Sequence, residues 1–169
     1  MRKHVLLVMT ALFLTACAHA PSSLRLADGS RYECVVDTPA RPRGAGVLLL
    51  GGGYGHDAGW SVPGQTKHEG EIVQLTLSGE THRDADLIAR ALTARGFVVL
   101  RPSTVPAGAD DAAMLPFPLT LEIAQRGLSS LRAQRGVERV YLVGHSLGAT
   151  RAALIADEEV FGIVALAGA

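Results

Sequence analysis

Charge of neither sign is in excess in this chain: 16 lysines and arginines balance 16 aspartates and glutamates over 169 residues. With no basic stripe or motif beside that balance, nothing points to nucleic acid. Cysteine is nearly absent. Cys17 and Cys34 are the two in the sequence, too few for a disulfide framework once either is used otherwise. No apolar run reaches the roughly 20 residues that a membrane-crossing helix needs, and no internal repeat is visible. Histidine is missing from the 21 residues that follow Gly148. The length allows one domain at most, large enough to bury a sizeable core.

The N-terminus is read apart from the fold. Arg2 and Lys3 form a positive region, and Val5 to Leu14 form an apolar segment of ten residues. That segment suits a secretory signal peptide and is too short to span a bilayer. Leu14-Thr15-Ala16-Cys17 follows, and it resembles the lipobox of bacterial lipoproteins. The resemblance implies that residues 1–16 are a signal peptide and that Cys17 becomes the lipidated first residue. Residues 17–23 are then the lipidated cysteine and a tether. Several acyl chains hold a protein at a bilayer far more firmly than one reversible myristoyl chain does. An ordinary cleaved signal peptide with an incidental cysteine is the competing reading. Ala18 stands where an aspartate is associated with inner-membrane retention, so the expected location is the bacterial envelope, lipid-anchored in the outer membrane and facing the periplasm. Cys34 reads as a small strand residue.

From residue 24 the pattern is that of an α/β domain. Leu24–Leu26 and Arg31–Val36 flank Ala27-Asp28-Gly29-Ser30, whose Asp-Gly predicts a hairpin. Val47–Leu50 is wholly apolar, as in a strand buried on both faces. Residues 51–80 have no apolar periodicity and predict a long functional loop. Thr81–Arg95 reads as a helix with Leu87, Ile88, Ala91 and Leu92 on one stripe and Gly96 as its stop. Phe97–Leu100 is a second buried strand, ended by Pro102, and residues 102–118 are a loop. Leu119–Arg135 is a second helix, Val140–Val143 a third strand, Ser146–Ala156 a third helix and Gly162–Ala167 a fourth strand. Alternating strands and helices predict a parallel sheet with right-handed crossovers. Its ligands bind at the carboxyl ends of the strands, where Gly51-Gly52-Gly53, Arg101-Pro102 and Ser146 all fall.

Gly144-His145-Ser146-Leu147-Gly148 is G-x-S-x-G between a strand and a helix, the context of a nucleophile elbow. A serine hydroxyl is a weak nucleophile and needs a sharp turn, a base and nearby N–H donors. On this motif and on the glycine loop Gly51-Gly52-Gly53-Tyr54-Gly55, residues 24–169 resemble the α/β-hydrolase superfamily. The members meant are its serine esterases, lipases and dienelactone-type hydrolases. The resemblance implies a three-layer, mostly parallel sheet with an N-terminal antiparallel hairpin, truncated after the strand that follows the nucleophile helix. It implies Ser146 as nucleophile and the backbone N–H of Leu147 as one oxyanion donor. A second donor comes from the glycine loop, Gly53 first and Gly52 next. The chain has glycine where many relatives carry histidine in that loop. No cofactor and no metal is called for.

The family orders its triad serine, acid, histidine. After Ser146 the sequence offers Asp157, Glu158 and Glu159, expected as surface charges, and no histidine. The expectation is therefore the first part of a larger hydrolase, with acid and histidine missing from these residues. His145 reads as a packing residue of the motif, His56 as a weak candidate base, and His68 and His82 as surface residues. A metal cluster of His56, Asp57, His68 and Glu69 lacks tight ligand spacing. Gly64-Gln65-Thr66-Lys67 lacks the order of a phosphate loop. Trp60 and Tyr54 serve the core or an acyl pocket. The expected function is a lipid-anchored serine hydrolase that cleaves a carboxylic ester, or related acyl bond, of a small molecule through an acyl-Ser146 intermediate. Its partners are that substrate, the membrane through Cys17, and a missing C-terminal segment or partner strand. The alternative is an inactive envelope lipoprotein that binds a partner through the open sheet edge at Ile163–Leu166.

Overall fold

The computed structural model describes residues 18–53, 56–62, 65–68, 71–74, 81–106 and 115–166. The signal-peptide segment and Cys17 lie outside the described residues, as do Tyr54, Glu69 and the His68 side chain.

Among the described residues, ten strands and three helices occur in the order β1 (Ala18–Arg25), β2 (Arg31–Thr38), β3 (Gly44–Leu50), β4 (Ser61–Val62), β5 (Gln65–His68), β6 (Glu71–Gln74), β7 (His82–Arg83), α1 (Asp84–Thr93), β8 (Val98–Pro106), α2 (Phe117–Arg132), β9 (Val137–His145), α3 (Leu147–Ile155) and β10 (Val160–Leu166). Six of the strands form one sheet in the order β1-β2-β8-β3-β9-β10. The β1–β2 hairpin is antiparallel, and β2 joins β8 antiparallel. The pairings β3–β8, β3–β9 and β9–β10 are parallel. The predicted α/β class and leading hairpin are therefore present.

The hairpin turn follows from Asp28 and Gly29. The Asp28 carboxylate accepts from the Ser30 amide at 2.8 Å and from its hydroxyl at 2.6 Å, while Leu26 N–H donates to the Ser30 carbonyl at 3.0 Å. Pairing runs on to Ala18↔Thr38, so residues 18–23 are strand and not the tether expected of them. β2 offers a complete hydrogen-bonding edge there, and an extended chain that can pair does so.

Strand alternation builds two cores. Leu48 and Leu50 of β3 and Val98 and Leu100 of β8 face one cluster with α2 and α3 residues such as Ile123, Leu131 and Ala152. Val47, Leu49 and Val99 face the other, with Trp60 and with Ala85 and Ala89 of α1. Three layers result, which is how a sheet apolar on both faces is covered. Cys34 of β2 is fully buried in the first cluster.

The face each helix takes follows from strand order. β8 lies on one side of β3 and β9 on the other. A right-handed crossover to one side and then back to the other places α1 and α2 on opposite faces. The step from β9 to β10 continues in the second direction, so α3 joins α2. The chain thus leaves the ends of the adjacent strands β3 and β9 toward opposite faces, which opens a crevice between them.

Three local features differ from expectation. β8 continues through Pro102 to Pro106 because, beyond Leu100, it pairs with β2 alone. A strand with one free edge can carry a residue that has no N–H. The expected loop of residues 51–80 holds β4, which pairs with β7, and the β5–β6 hairpin. The α1 stripe is also rotated: Ala85, Ala89 and Thr93 are buried, whereas Leu87 is 62% exposed.

Candidate active site

Ser146 stands between β9 and α3 with φ 51° and ψ −125°. A side chain in that backbone region is strained and is retained only where its surroundings fix it. The fixing contacts are on both sides. Ser146 N–H donates to the Leu166 carbonyl of β10 at 2.9 Å, and its carbonyl accepts from Ala149 N–H at 2.8 Å. The two motif glycines are close-approach positions. A Cβ at Gly144 would lie 2.3 Å from the Gly148 carbonyl oxygen and 2.5 Å from Ala149 Cα. One at Gly148 would lie 2.1 Å from the Leu50 carbonyl oxygen and 2.4 Å from that of Gly51. The G-x-S-x-G spacing lets α3 rest directly on the ends of β3 and β9.

The glycine loop after β3 arrives beside the serine. A Cβ placed on Gly52 would be 3.7 Å from Ser146 Cβ, 3.5 Å from His56 Nε2 and 3.7 Å from His145 Nδ1. Gly53 is half-buried next to it. Leu147, the first residue of α3, contributes an N–H that a helix leaves without an internal partner, at the positive end of the helix dipole.

Further along, this loop is strapped to the end of β8. His56 N–H donates to Thr104 Oγ1 at 2.9 Å, Thr104 N–H to the His56 carbonyl at 2.8 Å, and the Ser103 hydroxyl to the same carbonyl at 2.9 Å. Asp57 ties the next turn, accepting from Gly59 and Ser61 amides and from the Ser61 hydroxyl. These bonds and Arg83 hold its carboxyl below the usual range, against burial, which acts the other way and is the largest single influence. The His56 imidazole is pushed below its ordinary value by burial, then by the nearby Arg151 and His145. Among the described residues its Nε2 is buried without a hydrogen-bond partner, as is Trp60 Nε1.

A cleft of about 370 Å³ opens over Gly52. Trp60, Ile88, Leu87 and Leu166 form its apolar wall, and His56, His145 and Asp84 its polar one. Trp60 is therefore both core and cleft wall. His145 departs from its expected packing role: it is exposed, faces the cleft and lies 6.1 Å from the Trp60 ring. The residue before the serine sits at a strand end, where the packed layers have stopped.

Other expected candidates fall elsewhere. Arg101 is buried between Asp37, at 2.9 Å, and Asp86, and donates to the Ala58 carbonyl at 2.9 Å. It joins β2, β8, α1 and the loop and does not line the cleft. Asp157, Glu158 and Glu159 are exposed, as expected of surface charges. Asp157 pairs with Arg132 at 2.5 Å, and that hydrogen bond holds its carboxyl low. His82 is exposed. Among the described residues no group of three metal-ligating side chains is present.

One residue escaped the sequence reading. Arg151, 2% exposed, projects from α3 and donates through Nη2 to the carbonyls of Gly51 and, at 2.5 Å, Gly52. Its signal was a lone charge in the otherwise uncharged helix Leu147–Ile155. Burial lowers the pKa of its guanidinium.

Neither a family model nor a curated protein matches the chain by sequence. Solved structures do match. A dienelactone hydrolase-like promiscuous phosphotriesterase from metagenomic libraries is 18% identical with a TM-score of 0.57, over 89% of this chain and 60% of its own. A thermostable carboxyl esterase of Bacillus coagulans is 16% identical with a TM-score of 0.59, over 89% of this chain and 44% of its own. A serine hydrolase without a lid from Xanthomonas campestris is 17% identical with a TM-score of 0.53, over 87% and 60%. The chain thus spans between 44% and 60% of the length of these neighbours. The likeness is one of fold, a mostly parallel sheet led by an antiparallel hairpin with helices on both faces: this chain has the α/β-hydrolase fold.

Proposed function

We propose that the chain carries the nucleophile and oxyanion half of a serine hydrolase that cleaves a carboxylic ester or related acyl bond. Ser146 Oγ attacks the carbonyl carbon, the carbonyl becomes an oxyanion, and collapse expels the alcohol to leave acyl-Ser146, which water then hydrolyses. Leu147 N–H and an N–H of Gly52 or Gly53 receive the oxyanion, each donor worth about 3 kcal/mol in the transition state. The observation that carries this reading is the strained Ser146 turn facing Gly52. No histidine follows Ser146 within the 169 residues. In this reading the base and its acid belong to sequence beyond them, as the greater length of the structural neighbours supports. Cys17 is proposed as the lipidated residue that holds the protein at the envelope.

A fluorophosphonate probe on the full-length protein tests the reading. Label on Ser146, located by mass spectrometry and lost in Ser146→Ala, is expected; an unlabelled Ser146 sinks it. Metabolic incorporation of an alkyne fatty acid, lost in Cys17→Ser, tests the anchor.

A second reading has one observation in its favour. Phe161, Ile163 and Val164 of the edge strand β10 are 64%, 44% and 49% exposed. An inactive lipoprotein that adds a partner strand there would leave Ser146 unlabelled and its partner bound.

A further inference from the structure

We propose that Arg151 is the positioning residue of the oxyanion site, and that it backs the site with a buried positive charge. This rests on the acyl-transfer reading above. Side chains on a helix lean toward its N-terminus, so Arg151, in the second turn of α3, reaches back over the end that begins at Leu147. Gly148 has no Cβ and lets the Leu50 and Gly51 carbonyls come against α3. The guanidinium closes over the second of these carbonyls and the one after it, those of Gly51 and Gly52.

The consequence follows from peptide geometry. In a planar trans peptide the C=O of one residue and the N–H of the next point in opposite directions. Pinning the Gly51 carbonyl toward α3 aims the Gly52 N–H away from it, and pinning the Gly52 carbonyl does the same for the Gly53 N–H. Those are the two amides that the acyl-transfer reading needs, and Gly52 lies alongside Ser146. Three consecutive glycines have no side chains of their own to hold their peptide planes. A single nitrogen bonded to two successive carbonyls supplies that constraint.

The charge has a second effect. Among the described residues no carboxylate is in ion-pair contact with Arg151 and its Nε has no hydrogen-bond partner. A buried cation left this way is costly, and the cost falls when negative charge forms nearby. An oxyanion on the far side of the two polarised peptides is such a charge, and it exists only in the transition state and intermediate.

Arg151→Lys and Arg151→Gln in the full-length protein test this, with steady-state kinetics on a short-chain ester and inhibition by phenylboronic acid, whose Ser146 adduct is a tetrahedral anion. We expect kcat to fall at least tenfold in the lysine variant, further in the glutamine variant, with KM within twofold. Boronate affinity should weaken in step with kcat. Labelling of Ser146 by fluorophosphonate should slow yet reach the same final extent. Unchanged kcat and boronate affinity overturn the proposal, as does a change confined to KM. A purely structural role would lower the melting temperature and leave the folded fraction's kcat and boronate affinity alone, and failure of both variants to fold would assign Arg151 to the fold instead. If the unaltered protein fails to label, the acyl-transfer reading itself has failed, which is a separate outcome.

Discussion

A Cβ on Gly148 would sit 2.1 Å from the carbonyl oxygen of Leu50, a separation that neither backbone can relieve without moving α3 off β3. Gly148→Ala is therefore expected to destabilise by about 3 kcal/mol or more, at or above the top of the usual range for overpacking, and to displace Ser146 with the helix. Gly52→Ala is the contrast. Among the described residues its Cβ would meet nothing closer than 3.5 Å, so urea unfolding should move by less than about 1 kcal/mol. The same methyl would stand 3.7 Å from Ser146 Cβ and should slow Ser146 labelling. Equal unfolding midpoints for the two variants would contradict this packing.

Ser146 keeps its φ of 51° at a cost, about 1–3 kcal/mol for a non-glycine residue in such a region. Ser146→Gly should recover part of it and Ser146→Ala none. Both lose the hydroxyl, so the comparison isolates the backbone. The glycine variant is expected to melt higher than the alanine variant by several degrees; the reverse order would mean the turn is unstrained.

How much of this was readable in advance depended on whether the cause was local. The elbow was legible because G-x-S-x-G encodes two close approaches and a turn within five residues. Val47–Leu50 was legible because a strand covered on both faces must be apolar throughout. The rotation of α1, which buries Ala85 and Ala89 and exposes Leu87, was not. Alanine at those positions permits close approach to the sheet, while the larger Leu87 goes to the cleft wall. Pro102 misled because its tolerance depends on where β3 stops pairing, a property of a neighbour distant in sequence. Arg151 was visible as an odd charge, but its partners are the carbonyls of residues about 100 positions earlier. The tether reading of residues 19–23 failed for the same reason: extension by pairing is decided by β2.

His56 makes stability fall on acidification. Burial first, then Arg151 and His145, keep the folded imidazole from taking a proton, while the unfolded chain takes one near the ordinary value of about 6.5. The contribution of the neutral ring is thus complete above that pH and declines as pH drops from there toward the lowered folded value. The slope from this one proton is at most about 1.4 kcal/mol per pH unit. Urea midpoints measured between pH 7.5 and 5 should decrease, and His56→Gln should flatten the decrease. An identical pH profile in the variant would remove His56 as its source.

Arg101 joins four parts of the molecule, so its loss should be felt in stability before activity. The side chain is 2% exposed, between Asp37 and Asp86 at 14% and 17%. Arg101→Met keeps the bulk and removes the cation that lies between the two carboxylates. Breaking a buried pair in this way costs about 3–5 kcal/mol. The Ala58 carbonyl also loses its donor, and with it one of the ties on the loop that carries His56 and Trp60. Thermal denaturation should show the loss. Partial recovery in Arg101→Met with Asp86→Asn would identify carboxylate repulsion as its main component, and an unchanged melting temperature would refute the assignment.

Ile163 and Val164 are successive residues of β10, so they point to opposite faces of the sheet, and both remain open at 44% and 49% exposure. An edge strand that is apolar on both sides, with one row of backbone groups unpaired among the described residues, is a template for association. The 169-residue chain is therefore expected to self-associate as its concentration rises. Ile163→Lys with Val164→Lys adds two charges without touching the β9 register, in which Ile163 pairs with Leu142 and Val164 with Val143. Light scattering should show smaller species for the double variant, with the far-ultraviolet circular dichroism unchanged. Association that persists undiminished in the double variant would place the sticky surface elsewhere, and the exposed Leu154 of α3 would be the next position to charge.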